Sequence, residues 1–300
     1  MNALGTKHQD HFDWLMANNN YVAQEKLDGM RTVVHVTKTG LRIFSRSAGV
    51  ADPTRPLEKT SALPHLAALR FPGMHGVVLD AEILARGVDS AQLSGKVHRN
   101  EVVDENRTVK IFVFDVLRYG PRTLTTDTLQ SRISFLDQLK PHFQSPSIEF
   151  LPWAFKAESK RKLYQDVLAR DGEGIMLKRL DAFYFEGGRP ANNWYKRKKS
   201  ASFDCVVMGF TTGKGKYNNR IGAIIFGQYV KGKLLELGQA SGMSDAERYL
   251  MSNNPEKYIG KVVIIKGMER LKSGAIRHPQ YGGLRHDKDP KQCRWYQNEQ

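Results

Sequence analysis

The segment AQEKLDGMRTVVHV, residues 23–36, places Lys26 in a turn beside Arg31, directly ahead of an alternating apolar run. With a pKa of about 10.4, an ordinary lysine amine is almost entirely protonated at neutral pH and cannot act as a nucleophile. Neighbouring cations lower that pKa and raise the nucleophilic fraction. Lys26 is therefore a candidate nucleophile, although Asp28-Gly29 taken alone is equally typical of a surface turn.

Other side chains capable of chemistry lie on strand-like segments. In LDAEIL, Asp80 and Glu82 share a face because strand side chains repeat every two residues. Such a pair of carboxylates is unfavourable unless a cation or a hydroxyl-bearing ligand lies between them. FVFDVL places Phe112 and Phe114 on one face and Asp115 on the other. An aromatic ring there could stack on a base or could simply pack in the core.

Two later segments, DGEGIMLKR and WYKRKK, carry the remaining charged candidates. These are one carboxylate and three lysines: Glu173, Lys178, Lys196 and Lys198. The last two lysines stand two residues apart and share one strand face. We interpret Arg197 and Lys199 as solvated members of a basic linker. The glycine-rich TTGKGKYNNRIG lacks the spacing of a phosphate-binding loop, so we predict a turn there without a catalytic role.

The composition favours a polyanionic partner. The 300 residues contain 46 lysines and arginines against 31 acidic residues, a net charge of +15, which is typical of proteins that bind nucleic acid. A generally basic protein is the alternative. Cys205 and Cys293 lack the spacing of a zinc module or a disulfide framework. No apolar run approaches the roughly 18 residues of a membrane helix, and no secretory signal is visible, so we expect a cytoplasmic protein without membrane association.

Periodicity predicts the elements that position these residues. RTVVHV and LRIFS are predicted to form a hairpin around TKTG. Three further strands are predicted at GVVLDAEIL, VKIFVFDVL and EGIMLK. Two amphipathic helices are predicted at DTLQSRISFLDQL and ESKRKLYQDVLAR. Pro64 should interrupt the helical spacing of LEKTSALPHLAAL. From Ser200 onward, short apolar runs alternate with Gly, Lys and Asn, as in a small bent barrel. We predict an α+β domain at residues 1–199 and a five-stranded barrel at 200–300.

Seven motifs carry a resemblance to a known family. In order, KLDGMR, FSRS, LDAEIL, FVFDVL, EGIMLK and WYKRK resemble the motifs of the covalent nucleotidyltransferase superfamily, and most closely those of ATP-dependent DNA ligases. The closing RHPQYGGLRHDKD resembles the family's last motif. The resemblance covers essentially the whole chain, and the ordered set is far more specific than any one motif. It implies a nucleotidyltransferase (adenylation) domain of antiparallel sheets with flanking helices, followed by a C-terminal OB-fold barrel.

The resemblance also implies a reaction. Lys26 would attack the α-phosphate of ATP and form a lysine–AMP intermediate, releasing pyrophosphate. The AMP would pass to the 5′-phosphate of a nick, which the 3′-hydroxyl would then attack. Lys196 and Lys198 would contact the α-phosphate, while Glu82 and Glu173 would bind Mg²⁺ or Mn²⁺.

The remaining roles implied by the resemblance concern contacts with ATP and its AMP moiety. The backbone of Glu25 would lie beside the adenine, Phe114 in preference to Phe112 would stack on it, and Arg31 and Glu82 would contact the ribose. Arg46 would bind phosphate on the nucleotide or at the nick. Arg285 and Lys288 would orient the departing pyrophosphate.

The resemblance implies a minimal, monomeric two-domain ligase that acts on nicked duplex DNA in repair, replication and recombination. The absence of a four-cysteine module argues against the NAD-dependent class, and the early position of Lys26 leaves no room for an upstream domain. We expect ESKRK and the cations from Lys266 to Arg294 to contact DNA, and KRKKSAS to act as a hinge. The alternatives are an RNA ligase, an mRNA capping guanylyltransferase and a non-catalytic nucleic-acid-binding protein.

Overall fold

The structure is a computed structural model that describes residues 2–4, 9–48, 56–85, 90–103, 109–186, 192–271 and 273–295. The chain divides into two compact units, Met1–Lys198 and Lys199–Gln300. Within the described residues, no helix is both long enough and apolar enough to cross a membrane.

The first unit is a mixed α and β structure. Its described strands are β1 Asn2–Ala3, β2 Tyr21–Glu25, β3 Met30–Thr37, β4 Gly40–Ala48, β5 Pro56–Glu58, β6 Val78–Ala85, β7 Val109–Tyr119, β8 Arg122–Thr123, β9 Ile148–Phe150, β10 Gly174–Arg179 and β11 Trp194–Lys198. Its described helices are α1 Gln9–Ala17, α2 Pro64–Ala67, α3 Ser90–His98, α4 Leu129–Leu139 and α5 Ala157–Ala169.

The strands of this unit form two sheets. The larger has the antiparallel order β5-β4-β3-β6-β7-β8, with β9 parallel to β7, and the smaller has the order β1-β11-β10-β2. Strict alternation in β3 buries every second residue, so that Met30, Val34 and Val36 enter the core of the larger sheet. The smaller sheet packs its buried face against α1 and α5. In each sheet, the strand face opposite this core is therefore available to line a binding site.

The predicted elements of the first unit are present. The β3–β4 hairpin turns through Lys38 and Thr39, and Gly40 adopts a φ of +137°, which a side chain would disfavour. Pro64 interrupts the helical spacing as expected: a 3-10 turn covers Thr60–Ala62, and Pro64 begins α2 because the first turn of a helix tolerates a missing N–H.

The second unit is a five-stranded antiparallel sheet that closes on itself. Its strands are β12 Ala201–Thr212, β13 Ile221–Val230, β14 Lys233–Ala240, β15 Val262–Gly267 and β16 Gln280–Arg285, and its helix is α6 Asp245–Asn253. The order is β14-β13-β12-β15-β16. The Tyr281 amide donates to the Ser241 carbonyl at 2.8 Å, joining the two edges. The five-stranded barrel is thus confirmed, and TTGKGKYNNRIG forms the predicted turn between β12 and β13.

One part of the predicted DNA-contact surface is wrong. Lys160, in ESKRK, is fully buried, and its ammonium donates to the carbonyl oxygens of Leu15, Asn18 and Tyr21 at 3.3, 2.8 and 2.9 Å. The Leu15 and Asn18 carbonyls lie at and just beyond the last turn of α1, where backbone acceptors lack partners within the helix, and the Tyr21 carbonyl lies at the start of β2. Lys160 therefore joins α5 to the end of α1, whereas its neighbour Lys162 is exposed.

Arg197 is not a solvated linker residue either. It is 9% exposed, donates to the Leu4 carbonyl at 3.2 Å and to Gln9 Oε1 at 2.7 Å, and lies over the Phe12 ring at 4.8 Å. Alternation along β11 turns Arg197 toward α1 and its two neighbouring lysines toward the other face. The WYKRK segment thus places basic side chains on both faces of β11.

We predict that Lys160→Met lowers the free energy of unfolding by about 2–4 kcal/mol, because it leaves three carbonyl groups without their donor in a buried setting. Urea denaturation monitored by circular dichroism measures this change. The matched control is Lys162→Met, which removes an exposed lysine paired with Asp166 on the same helix and should change stability by no more than about 0.5 kcal/mol. Equal effects of the two substitutions would contradict the assignment.

Candidate active site

A cavity lies between the two sheets of the first unit. The smaller sheet contributes Gln24 and Glu25 from β2, Met176 and Lys178 from β10 and Trp194 from β11. The larger sheet contributes Arg31 from β3, Glu82 from β6 and Phe114 from β7, and the β2–β3 turn contributes Lys26 and Leu27. The predicted site residues that line this cavity are thus drawn from widely separated stretches of sequence.

Lys26 contacts a carboxylate. Its Nζ lies 2.5 Å from Glu173 Oε2, while the other carboxylate oxygen, Oε1, lies 2.7 Å from Lys198 Nζ. The Glu173 side chain is only 3% exposed, so both lysines share one buried acceptor. Arg31 lines the same cavity as Lys26, and its guanidinium pairs there with Asp80. The second cation beside Lys26 is Lys198, which the sequence places 172 positions away.

Gly29 sets the height of the β2–β3 turn over β6. A Cβ at this position would fall within van der Waals distance of the Ile83 carbonyl and would lie 2.9 Å from Glu82 Cγ. Only glycine lets the turn approach the strand this closely. Gly29 is therefore needed for the close contact between this turn and β6, which an ordinary surface turn would not require.

Glu82 titrates near neutrality. Burial raises the pKa of this carboxyl from 4.5 to about 7, Lys26 and Arg31 oppose the rise, and Asp80 and Glu173 add to it. Burial dominates because removing a carboxylate from water disfavours its charged form. Glu82 can consequently exist in both protonation states at neutral pH.

Arg31 forms a bidentate ion pair with the fully buried Asp80. Its Nε lies 3.0 Å from Oδ1 and its Nη2 lies 2.6 Å from Oδ2. The cation that the Asp80–Glu82 pair requires is thus Arg31, whose Cα pairs with that of Glu82 across β3 and β6. The guanidinium also lies 5.5 Å from the Phe114 ring centre and 5.6 Å from the Trp194 ring centre.

The prediction that Asp115 faces away from Phe112 is wrong. The register between β6 and β7 shifts, so that Asp80 pairs with Asp115 and Ala81 with Val113, leaving Phe114 as an extra residue in β7. A bulge of this kind interrupts strict alternation. Asp115 therefore follows the Asp80 side of the sheet, where it accepts two hydrogen bonds from Arg132 at 2.8 and 2.9 Å.

Phe112 and Phe114 pack in the same small apolar cluster with Leu151. Of the two phenylalanines, Phe114 lines the cavity, whereas Phe112 does not. This geometry favours Phe114 as the ring available to a bound base.

Lys178, for which the sequence predicts no role, lies in the cavity wall. Its Nζ donates to Gln24 Oε1 at 2.8 Å and lies 4.5–4.9 Å from three ring centres, those of Phe114, Trp153 and Trp194. Burial lowers the pKa of Lys178 to about 7. The alternating positions of Met176 and Lys178 in EGIMLK could have indicated that this lysine shares the cavity face.

The other predicted nucleotide contacts of the first unit vary in position. Glu25 lines the cavity at the end of β2, and its carboxylate pairs with Arg170 at 2.6 Å. Lys196 lies on β11 between Trp194 and Lys198 on the same strand face. Arg46 lies on β4, and its side chain is outside the part of the chain that the structure describes.

In the second unit, Arg285 and Lys288 share a carboxylate. Asp204 Oδ2 on β12 lies 2.7 Å from Arg285 Nη1 and 2.8 Å from Lys288 Nζ. Arg285 also pairs with Asp287. One acidic residue of the barrel thus brings together the two cations predicted to bind pyrophosphate.

The described residues contain no group of three or more His, Cys, Asp or Glu side chains that could hold a metal ion. Glu82 and Glu173 are two nearby carboxylates, which suits a Mg²⁺ ion that takes its other ligands from water and phosphate oxygens. The pair fits a metal that arrives with a nucleotide better than a metal held permanently by the protein.

Comparison with known proteins identifies the family. Residues 7–198 match the ATP dependent DNA ligase domain. A probable DNA ligase of Pseudarthrobacter chlorophenolicus is 32% identical over 196 residues, and the match covers 64% of this chain and 36% of that protein. A DNA ligase of Natronomonas pharaonis is 26% identical over 295 residues, and the match covers 89% of this chain and 52% of that protein. The chain thus spans about a third to a half of the length of these curated relatives.

Solved structures agree on the fold. One named Pmar-Lig_PreS3 covers 94% of this chain and 67% of its own, with a TM-score of 0.71 and 20% identity. A Lig E DNA ligase covers 94% of this chain and 97% of its own, with a TM-score of 0.57 and 23% identity. The chain belongs to the ATP-dependent DNA ligase family. The expected fold, a nucleotidyltransferase domain of antiparallel sheets with flanking helices followed by an OB-fold barrel, is confirmed.

We predict that Glu82→Gln changes the pH dependence of stability. Between pH 4.5 and about 7 the folded protein holds a proton on Glu82 that the unfolded chain has lost. The free energy of unfolding of the wild type should therefore fall across this window, relative to that of Glu82→Gln, by roughly 2–3 kcal/mol.

Urea denaturation at a series of pH values measures this difference, with the exposed Glu186→Gln as the control that should show no such trend. A constant difference between wild type and Glu82→Gln from pH 4.5 to 8 would show that the carboxyl has no raised pKa.

Proposed function

We propose that this protein is an ATP-dependent DNA ligase that seals nicks in duplex DNA through a lysine–AMP intermediate. The observation that carries the proposal is the position of Lys26 in a cavity between two sheets, with its ammonium on a carboxylate shared with Lys198. Membership of the ATP-dependent DNA ligase family supports the same reaction.

The cavity offers distinct surfaces to the parts of ATP. The rings of Phe114 and Trp194 and the buried amide of Gln24 suit a purine base. Arg31 and Glu82 suit the ribose, because a guanidinium donates to hydroxyl oxygens and a carboxylate accepts from hydroxyl groups. We place the phosphates toward Lys26, Lys196 and Lys198. By the family resemblance, Glu25 would contribute its backbone beside the base, and Arg46 would bind phosphate.

Lys26 becomes a nucleophile only when its ammonium loses a proton. Glu173 Oε2 is the acceptor in contact with Nζ, so we assign it the role of receiving that proton. The neutral amine then attacks the α-phosphorus, the bond from phosphorus to the bridging oxygen breaks, and pyrophosphate leaves. Lys198 and Lys196 stabilise the charge that develops on the phosphoryl oxygens.

Glu82 and Glu173 would hold Mg²⁺ or Mn²⁺, which supplies positive charge to the phosphate oxygens when it is bound. A raised pKa near 7 means that Glu82 gains affinity for a cation as the pH rises through neutrality. We infer that Arg285 and Lys288 of the barrel orient the pyrophosphate, and that their shared partner Asp204 keeps them together.

We further propose a division of labour between a nucleotidyltransferase domain at residues 1–199 and an OB-fold domain at 200–300, joined at a hinge in KRKKSAS. The partner is nicked duplex DNA, bound by a monomer through backbone phosphates, since every nick must be accepted whatever its sequence. Such an enzyme would act in DNA repair, replication and recombination in the cytoplasm.

The decisive experiment is adenylylation. Protein incubated with α-labelled ATP and Mg²⁺ should acquire a covalent label, and Lys26→Ala should reduce that label to background because no other group replaces the amine. The exposed Lys162→Ala is the matched control and should label normally. A labelled Lys26→Ala protein would show that another residue is the nucleophile.

The same assay separates the alternative functions. Label from ATP that passes to nicked DNA supports the ligase, whereas transfer to RNA ends would indicate an RNA ligase. Label from GTP would indicate a capping guanylyltransferase. Failure of the wild type to label with ATP, GTP or NAD would leave nucleic-acid binding without catalysis.

We also predict strong sensitivity of sealing to salt. With a net charge of +15, contacts to six or more phosphates would weaken DNA binding by on the order of 10³ between about 50 and 200 mM NaCl. Sealing under subsaturating nicked DNA should fall accordingly, while adenylylation of Lys26 in the same buffers should change far less. A sealing rate that stays constant across this range would contradict binding through phosphate neutralisation.

A further inference from the structure

Tyr184 occupies an unusual position for its sequence context. It is the middle residue of the run Phe183-Tyr184-Phe185, and both phenylalanines are about half exposed, at 53% and 50%. If apolar burial alone ordered this segment, a phenylalanine would enter the protein in preference to the more polar tyrosine. Tyr184 is instead the partly buried member, and its hydroxyl group makes specific contacts.

The hydroxyl lies between the two partners of the Arg31–Asp80 pair. It donates to Asp80 Oδ2 at 2.7 Å and accepts from Arg31 Nη2 at 3.1 Å. A phenolic oxygen can donate once and accept at the same time, so both contacts form together. Burial, followed by the charge of Asp80, raises the pKa of Tyr184, which keeps the hydroxyl protonated as a donor.

The ring and backbone of Tyr184 are held independently of the hydroxyl. The Arg132 guanidinium lies 5.6 Å from the ring centre, and the Trp194 ring meets it edge to face at 6.3 Å. The Tyr184 amide donates to the Thr125 carbonyl at 3.0 Å. Removing only the hydroxyl should therefore leave the ring in place.

The described contacts of Arg31 use one edge of its guanidinium. Nε and Nη2 are directed at Asp80 and Tyr184. A guanidinium has five N–H donors in a rigid plane, so this arrangement leaves the two donors of Nη1 for a ligand. The ion pair with Asp80 holds one edge of the guanidinium. The hydrogen bond to Tyr184 comes from a different direction and limits rotation of the guanidinium about that ion pair.

We propose that Tyr184 is a positioning residue for the nucleotide, which holds the Arg31 guanidinium so that its remaining donors reach a ribose hydroxyl of ATP. This inference rests on the proposed function, in which Arg31 contacts the ribose. Tyr184 itself does not touch the nucleotide, and its influence passes through Arg31.

The test measures Lys26 adenylylation against nucleotide concentration for wild type and Tyr184→Phe with ATP, 2′-deoxy-ATP and 3′-deoxy-ATP. Tyr184→Phe should raise the half-saturating ATP concentration roughly tenfold, because a hydrogen bond to a charged group is lost. The rate at saturating ATP should change far less. With the analogue that lacks the hydroxyl contacted by Arg31, Tyr184→Phe should raise the half-saturating nucleotide concentration by less than about twofold, since that contact no longer exists.

A double-mutant cycle gives an independent readout. If Tyr184 acts through Arg31, then Arg31→Ala combined with Tyr184→Phe should lose no more affinity for ATP than Arg31→Ala alone. Tyr119→Phe, on β7 in the same unit, is the matched control and should bind all three nucleotides as the wild type does. Thermal unfolding of each variant verifies that the fold is retained.

Equal penalties for ATP and both deoxy analogues, additive losses in the cycle, or no penalty at all would each overturn the role of Tyr184. These results are distinct from a failure of the proposed function, in which wild-type protein would take no label from ATP.

Discussion

The site depends on one buried carboxylate. Glu173 lies between the ammonium groups of Lys26 and Lys198, and without it two like charges on neighbouring parts of the smaller sheet would repel each other in a poorly solvated place. The carboxylate lets both lysines enter the cavity together, yet the trio keeps an excess of one positive charge. A buried cluster of this kind is costly to form but well suited to an incoming anion, which can replace the carboxylate as the partner of a lysine.

This arrangement bears on how Lys26 would lose its proton in the proposed reaction. The acceptor that contacts Lys26 is the Glu173 carboxylate, which Lys198 contacts as well. Transfer of the Lys26 proton would therefore accompany nucleotide binding. In the proposed reaction, the phosphates of ATP would compete with Glu173 for Lys198 and would leave the carboxylate free to accept the Lys26 proton.

Local patterns predicted the elements of the fold, and long-range contacts decided the places where the predictions failed. The hairpin of β3 and β4, helices α4 and α5 and the barrel strands β12 to β15 follow from periodicity and turn residues, which act over a few positions, whereas β16 shows no such pattern. Lys160 and Arg197 were misread because their partners lie about 140 to 190 residues away in sequence, so no local pattern shows that they are buried. Asp115 was misread because a single inserted residue in β7 shifts the alternation, and single-sequence periodicity does not reveal a bulge. The order of the motifs was enough to select Lys26, Glu82, Phe114, Glu173 and Lys198 as candidate site residues. Which of these side chains contact each other could be learned only from the structure.

The distribution of charge separates two kinds of recognition. In the cavity, cations are paired with acidic neighbours: Lys26 and Lys198 share Glu173, and Arg31 pairs with Asp80. In the barrel, Arg285 and Lys288 share Asp204 in the same way. Paired charges hold fixed directions, which suits a small ligand whose atoms must be placed accurately for reaction. Most of the net charge of +15 comes from other parts of the chain, where the surplus of lysine and arginine would attract a polyanion at long range without fixing its sequence. In the proposed reaction, paired charges and surplus charges would thus serve different steps, the first by geometry and the second by attraction.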